Sequence, residues 1–107
     1  MLQTVESVNK TDEQGNPTGG SVRSVGIVID WQNGPLGRGE DRKAPNGAFV
    51  DGVLAAAQER LEYYQTSKFK CRENAIAITK IEEARHWLNH RTQRREAQNV
   101  EGTYQGN

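Results

Sequence analysis

The residues of this chain whose types and spacing could do chemistry favour binding over catalysis. Its 107 residues hold no GxSxG elbow, no P-loop, no HExxH pair and no paired-cysteine pattern. Cys71, the single cysteine, falls near the start of a predicted helix, where a thiol pKa can be lowered. The preferred reading, however, is a semi-buried small residue at the hairpin bend. His86 and His90 stand four apart on one helical face, a spacing able to hold a metal. No further His or Cys lies near them in the sequence, so neither a metal nor another cofactor is expected.

The ligand-binding candidates are better placed. Tyr64 closes the apolar stripe of one predicted helix and Asn74 opens the next. An aromatic ring beside a carboxamide makes a workable purine site, the ring stacking on the base and the amide reading its edge. Tyr64 fits equally well as a plug for the end of a helical hairpin. Arg91 and Arg95 continue the apolar side of the second helix past its last aliphatic residue. There they either sit solvated at the helix end, favoured by its dipole, or clamp phosphate. Asn74 and Arg91 are seventeen residues apart, roughly 25 Å along a straight helix. A cyclic dinucleotide spans on the order of 10 Å. If one ligand touches both residues, they come from two chains with antiparallel hairpins, and the binding unit is an oligomer.

Positioning these groups requires an α+β architecture: a short N-terminal antiparallel β-hairpin followed by a long antiparallel αα-hairpin, in one domain. Residues 1–32 give the strand pair. Residues 2–9 alternate weakly, 11–20 (TDEQGNPTGG) are dense in turn formers, and 21–31 (SVRSVGIVIDW) alternate so that Val25, Ile27, Ile29 and Trp31 share a face. Two strands alone are marginal, so the pair either lies over its own helices or offers an edge to another protomer. Residues 33–47 (NGPLGRGEDRKAPNG) read as a connector loop. Residues 48–98 form the helical hairpin, with Asn46 as predicted N-cap. The first helix carries a stripe of Val50, Val53, Leu54, Ala57, Leu61 and Tyr64, the second Ala77, Ile78, Ile81, Ala84 and Leu88 with Trp87 beside it. TSKFK (66–70) links them, and the tail 99–107 is expected to be extended.

Composition sets outer bounds. Hydrophobic residues make up 34% of the chain, and no apolar run reaches the ~20 residues of a membrane span. The N-terminus lacks the apolar stretch of a signal peptide, and the cysteine usage suits a reducing, intracellular setting. So polar a chain has a small core, which association with further copies would supplement. The net charge of +0 offers no global field for a nucleic-acid polymer. Residues 84–95 nevertheless hold four arginines, two histidines and no acid, so a small oligomeric nucleic-acid-binding regulator is the rival reading.

Taken together, WQNGPLG (31–37), NGAFVDGVLAAAQERLEYYQ (46–65), FKCRENAIAITKIEEARHWLNHRTQRR (69–95) and VEGT (100–103) resemble the phage Thoeris anti-defence sponge family. That family shares its helical hairpin with the related anti-CBASS sponge, and the similarity runs from about residue 22 to residue 103. The resemblance implies a non-enzymatic protein in the cytoplasm of the infected bacterium that sequesters cyclic nucleotide messengers without cleaving them. The ligands implied are glycocyclic ADP-ribose and, for many members, CBASS cyclic di- and trinucleotides. The assembly implied is a dimer built into a hexamer. Carried over by position, Tyr64 (often Phe in relatives), Asn74 and Arg91 would contact the ADP-ribose messenger, with Arg23 from the strands. Arg94 or Arg95, with Gly102 and Thr103 of VEGT, would line a second pocket for cyclic oligonucleotides. The connector segment GRGEDRKAPNG is longer and more charged than in many relatives.

Overall fold

Asp12 builds the first turn with its own side chain. In residues 3–106, those that the computed structural model describes, Asp12 Oδ1 accepts the backbone N–H groups of Gln14 and Asn16, both at 2.9 Å. Its Oδ2 accepts the Asn16 side-chain amide at 3.0 Å. A short carboxylate that binds backbone two residues on is a local alternative to continued strand. These donors, the Asn16 side chain foremost, hold the Asp12 carboxyl below the usual carboxylate pKa. The turn joins β1 (Glu6–Thr11) to β2 (Pro17–Ser24), which pair antiparallel from Glu6↔Arg23 to Thr11↔Pro17 with an irregularity between Asn9 and Thr11.

The sheet has three strands in the order β1-β2-β3, not the two expected. Glycines account for much of the difference. Gly19 and Gly20, which composition assigns to a turn, lie inside β2 with φ of +106° and +140°. A Cβ on Gly20 would stand 2.0 Å from the Val8 carbonyl oxygen. Glycine is there because another strand comes close, not because the chain reverses. The reversal falls instead at Val25 and Gly26, inside the run that reads as one strand. Ser24 pairs with Ile27 across them, and Gly26 adopts φ +75°. β3 is thus only Ile27–Asp30, and Val25, 89% exposed in the loop, leaves the face assigned to it.

Backbone bonds then tie the connector. Ala48 N–H donates to Asp30 O (2.8 Å) and Gln32 N–H to Ala48 O (2.9 Å), a parallel bridge of Trp31 with Ala48. Asn46 is not a helix cap. Its side chain accepts Asn33 N–H at 2.8 Å and donates to Asn33 O at 3.1 Å, while its own N–H donates to Gln32 Oε1 at 2.8 Å. Between these ends the connector holds a single 3-10 turn, Gly39–Asp41. The tail is not extended either. Thr103 N–H closes a turn on Val100 O at 3.1 Å, and the Tyr104 hydroxyl donates to Pro17 O at 2.8 Å. Sheet, connector and tail, residues 3–49 and 100–106, make one compact unit; Val50–Asn99 make the other.

That second unit is the helical hairpin, α1 (Val50–Gln65) and α2 (Arg72–Ala97). Along α1 the half-buried positions include Leu54, Gln58, Leu61 and Gln65, and along α2 Ala77, Ile78, Ile81, Arg85 and Leu88. Ala57 and Ala84, placed in the stripes by periodicity, are exposed. Their expected places are taken by a polar pair. Arg85 Nε donates to Asp51 Oδ1 at 2.9 Å and Arg85 Nη1 to Gln58 Oε1 at 3.0 Å. A guanidinium can enter an apolar seam when its donors are met. Among the described residues no hydrophobic side chain is fully buried, and Val28, Phe69 and Trp87 are each at least two thirds exposed.

Two outcomes test this account. Gly20→Ala should lower stability by about 1–3 kcal/mol, read as a lower thermal midpoint, whereas Gly52→Ala, where a Cβ meets nothing within 4 Å, should raise it by up to about 1 kcal/mol. Because the folded pKa of Asp12 is depressed, its stabilising contribution is present above the unfolded value near 3.8 and fades as pH falls through the folded one. Urea melts at descending pH should show Asp12→Asn losing less stability across that acid limb than the unmodified chain.

Candidate functional site

The bend of the helical hairpin is stitched by side chains. Gln65 Nε2 donates to Cys71 O and Gln65 Oε1 accepts Cys71 N–H, both at 3.0 Å. This reciprocal pair fixes the end of α1 to the residue that opens α2. Ser67 satisfies the last turn of α1, its N–H and hydroxyl both donating to Tyr64 O, at 3.0 and 2.6 Å. Cys71 caps α2, its Sγ accepting Asn74 N–H at 3.5 Å. The thiol is free and exposed, not semi-buried as the sequence suggested, its sulfur lying against the first turn of α2 as a cap.

Tyr64 and Asn74, both half-buried, therefore stand at the same end of the hairpin. The Tyr64 ring lies 6.0 Å from that of Tyr63, tilted by 53°, and its hydroxyl accepts Arg60 Nε at 3.1 Å. The Arg60 guanidinium carbon sits 4.9 Å from the Tyr64 ring centroid and 5.0 Å from that of Tyr63. The Tyr64 hydroxyl bond reinforces the positive charge of Arg60, raising its pKa. Arg91 is exposed near the other end of α2. Within one chain the unbroken helix keeps Asn74 and Arg91 roughly 25 Å apart. Asp51, in the first turn of α1, meets Arg85, so α2 runs on past the start of α1, and Arg91 and Arg94 lie in this last stretch, both exposed. Arg95 is buried, 6% exposed, and so is not the solvated helix end that one reading of the sequence allowed.

The other candidates belong to the sheet unit. Arg23, in β2, pairs across to Glu6 and Val28 and forms a half-exposed ion pair with Asp30 at 3.5 Å. Gly102 and Thr103 sit in the tail turn, which the charged connector grips. Arg42 meets Glu101 through two bonds, 2.7 and 3.2 Å, Arg38 Nη1 donates to Glu101 O at 2.8 Å, and Gly37 N–H donates to Gly102 O at 2.8 Å. Gly102 adopts φ +81°, and a Cβ there would stand 2.5 Å from Gly37 O. The sequence marks the connector as charged, but nothing in its spacing shows that the charges close on VEGT.

Apart from His86, residues that the motif reading passes over line the hairpin's clefts. A groove of about 420 Å³ is bordered by Asp51, Gln58, Arg85, His86 and Asn89 among others, and one of about 330 Å³ by Ala56, Glu59, Arg60 and Tyr63. Arg60 had a visible signal in its spacing, four residues before Tyr64 and so on the same helical face. Arg85 had none, since an arginine inside an apolar stripe reads as solvent-facing. His90 packs edge-on against Trp87 at 5.7 Å. Among the described residues no three metal-ligating side chains cluster, and no helix is long and apolar enough to cross a membrane.

Comparison with known proteins matches residues 23–93 to the family model "Acb2/Tad1, hairpin domain". The chain is also 46% identical over 78 residues to Thoeris anti-defense 1 of Bacillus phage SBSphiJ7, an alignment covering 73% of this chain and 52% of that protein. The chain thus spans about half the length of the curated relative it matches.

The grip on the tail turn is open to direct test by amide hydrogen exchange. Gly102→Ala should speed exchange at the Gly37 amide by about 10-fold or more, the equivalent of ~1.4 kcal/mol. Glu101→Gln, which weakens a partly exposed ion pair, should cost about 1 kcal/mol or less at the same amide.

Proposed function

Since the chain belongs to the Acb2/Tad1 hairpin-domain family, we propose that it is a phage anti-defence protein that sequesters cyclic nucleotide immune messengers without cleaving them. Glycocyclic ADP-ribose is the first ligand, and CBASS cyclic di- and trinucleotides are the second class. The observation that carries the reading is the placement of ring, amide and guanidinium on the hairpin. Tyr64 and Asn74 share the bend, while Arg91 stands far along the same unbroken α2. A ligand about 10 Å across engages all three only where the bend of one copy meets the far helix end of another. The site therefore belongs to a dimer or a larger assembly such as a hexamer. The apolar side chains left in solvent support the same assembly, since association would remove some of them from water.

In this mechanism Tyr64 stacks on the base, contributing about 1–3 kcal/mol. Asn74 reads the base edge, and Arg91 of another copy pairs with phosphate through its planar fork of donors. Arg23 is assigned to the same messenger, and Arg94, Arg95, Gly102 and Thr103 to the cyclic oligonucleotides. Capture needs no bond-making. Sites in excess of messenger, with nanomolar affinity (about −12 kcal/mol), lower the free signal below what its effector needs. The relative's name, Thoeris anti-defense 1, supports the biological setting, and the infected host's cytoplasm is the compartment where such a signal acts.

Arg91→Ala and Asn74→Ala should each lose messenger affinity by at least about 100-fold, or ~2.7 kcal/mol, while light scattering shows an unchanged assembly. Full calorimetric affinity in either variant removes that residue from the site. Heating the loaded protein should return intact messenger. Recovery of a cleaved product would make the protein an enzyme instead.

A further inference from the structure

We infer that Arg60 contacts the messenger directly, taking a phosphate oxygen beside the base that stacks on Tyr64; the inference rests on the sponge reading above and adds a residue to its site. Three observations converge on it. First, Arg60 is fixed against the candidate stacking surface: its Nε is spent on the Tyr64 hydroxyl at 3.1 Å, and its guanidinium stands about equally far from the Tyr63 and Tyr64 rings. A guanidinium held over aromatic faces has already given up much of its rotamer freedom, so less is lost when it binds.

Second, the rest of its hydrogen-bonding capacity is unused. An arginine carries five N–H donors, and only Nε has a hydrogen-bond partner among the described residues. The two terminal nitrogens thus offer the paired donors that a phosphate accepts in a bidentate fashion. Third, Arg60 and Tyr63 border an open depression on α1 with Ala56 and Glu59, so the guanidinium faces accessible space beside the aromatic pair. With Glu59 in the same depression, positive charge is confined to Arg60, so the anionic part of a ligand settles there and the less charged parts elsewhere. The Tyr64 hydroxyl tethers the guanidinium while its ring remains the platform for the base.

The test is a calorimetric titration with glycocyclic ADP-ribose, at low and high salt, of the full chain and of Arg60→Gln, Arg60→Lys and Tyr64→Phe. Circular dichroism and light scattering establish that each variant keeps its helices and its assembly. Arg60→Gln should bind about 10-fold or more weakly and show a shallower salt dependence, having lost one ionic contact. Arg60→Lys, which keeps the charge without the fork, should fall between, and Tyr64→Phe should lose less than Arg60→Gln. Unchanged affinity in Arg60→Gln, while the unmodified chain binds, overturns the inference and leaves the sponge reading intact. A loss of affinity with unchanged salt dependence also overturns it, assigning Arg60 to orienting the ring. If the unmodified chain binds neither glycocyclic ADP-ribose nor cyclic oligonucleotides, the sponge reading fails and this inference with it.

Discussion

An α-helix advances about 1.5 Å per residue whatever its side chains do, and α2 is 26 residues long without a break. That rigid spacing governs what the hairpin can do with its polar groups. Residues at the bend, held by the Gln65–Cys71 exchange of hydrogen bonds, cannot share a small ligand with residues near the far end. Either the two ends serve separate purposes or another copy brings them together. The second helix, 26 residues against 16 in the first, extends beyond the length its partner helix can cover.

A second constraint follows from composition. With no hydrophobic side chain fully buried among the described residues, the seams of this fold are held largely by polar side chains. Arg85 bridges the two helices through Asp51 and Gln58, Asp12 closes the first strand turn, and Arg42 grips Glu101. Each such contact contributes modestly, because both partners also bind water well. They therefore specify geometry more than they stabilise it. Hydrophobic burial, which stabilises most small domains, is spread here over half-buried side chains such as Leu54, Leu61, Ile78, Ile81 and Leu88.

How far the sequence foretold this varies with the physics of each segment. The helical hairpin was legible because its apolar spacing is periodic over many turns, and its two helices fall within a residue or two of expectation. The stripe was less so: periodicity counts Ala57 and Ala84 as inward and cannot see that Gln58 and Arg85 satisfy each other. The third strand was hidden because glycine has two uses. At Gly26 it lets the chain turn, while at Gly20 it lets β1 approach, and composition alone does not separate them. The tail turn was illegible for a different reason, since its shape depends on Arg38 and Arg42, some sixty residues earlier in the chain. At the candidate site, Tyr64 and Asn74 could be placed at one end by counting residues. Arg60 could have been found by its spacing, but only the structure shows which of its donors are spent.

The bonding at the base of the connector carries a consequence for how such proteins diverge. Asn33 and Asn46 hold each other through backbone and side chain, and Gln32 reinforces them. Everything between is a loop whose ends are already pinned, so lengthening it adds only a slowly growing entropic penalty, about 0.6 kcal/mol per doubling. Insertions can accumulate there without shifting the junction where strand gives way to helix. Extra length there stays in the loop so long as Arg38 and Arg42 keep their hold on Glu101 in the tail turn.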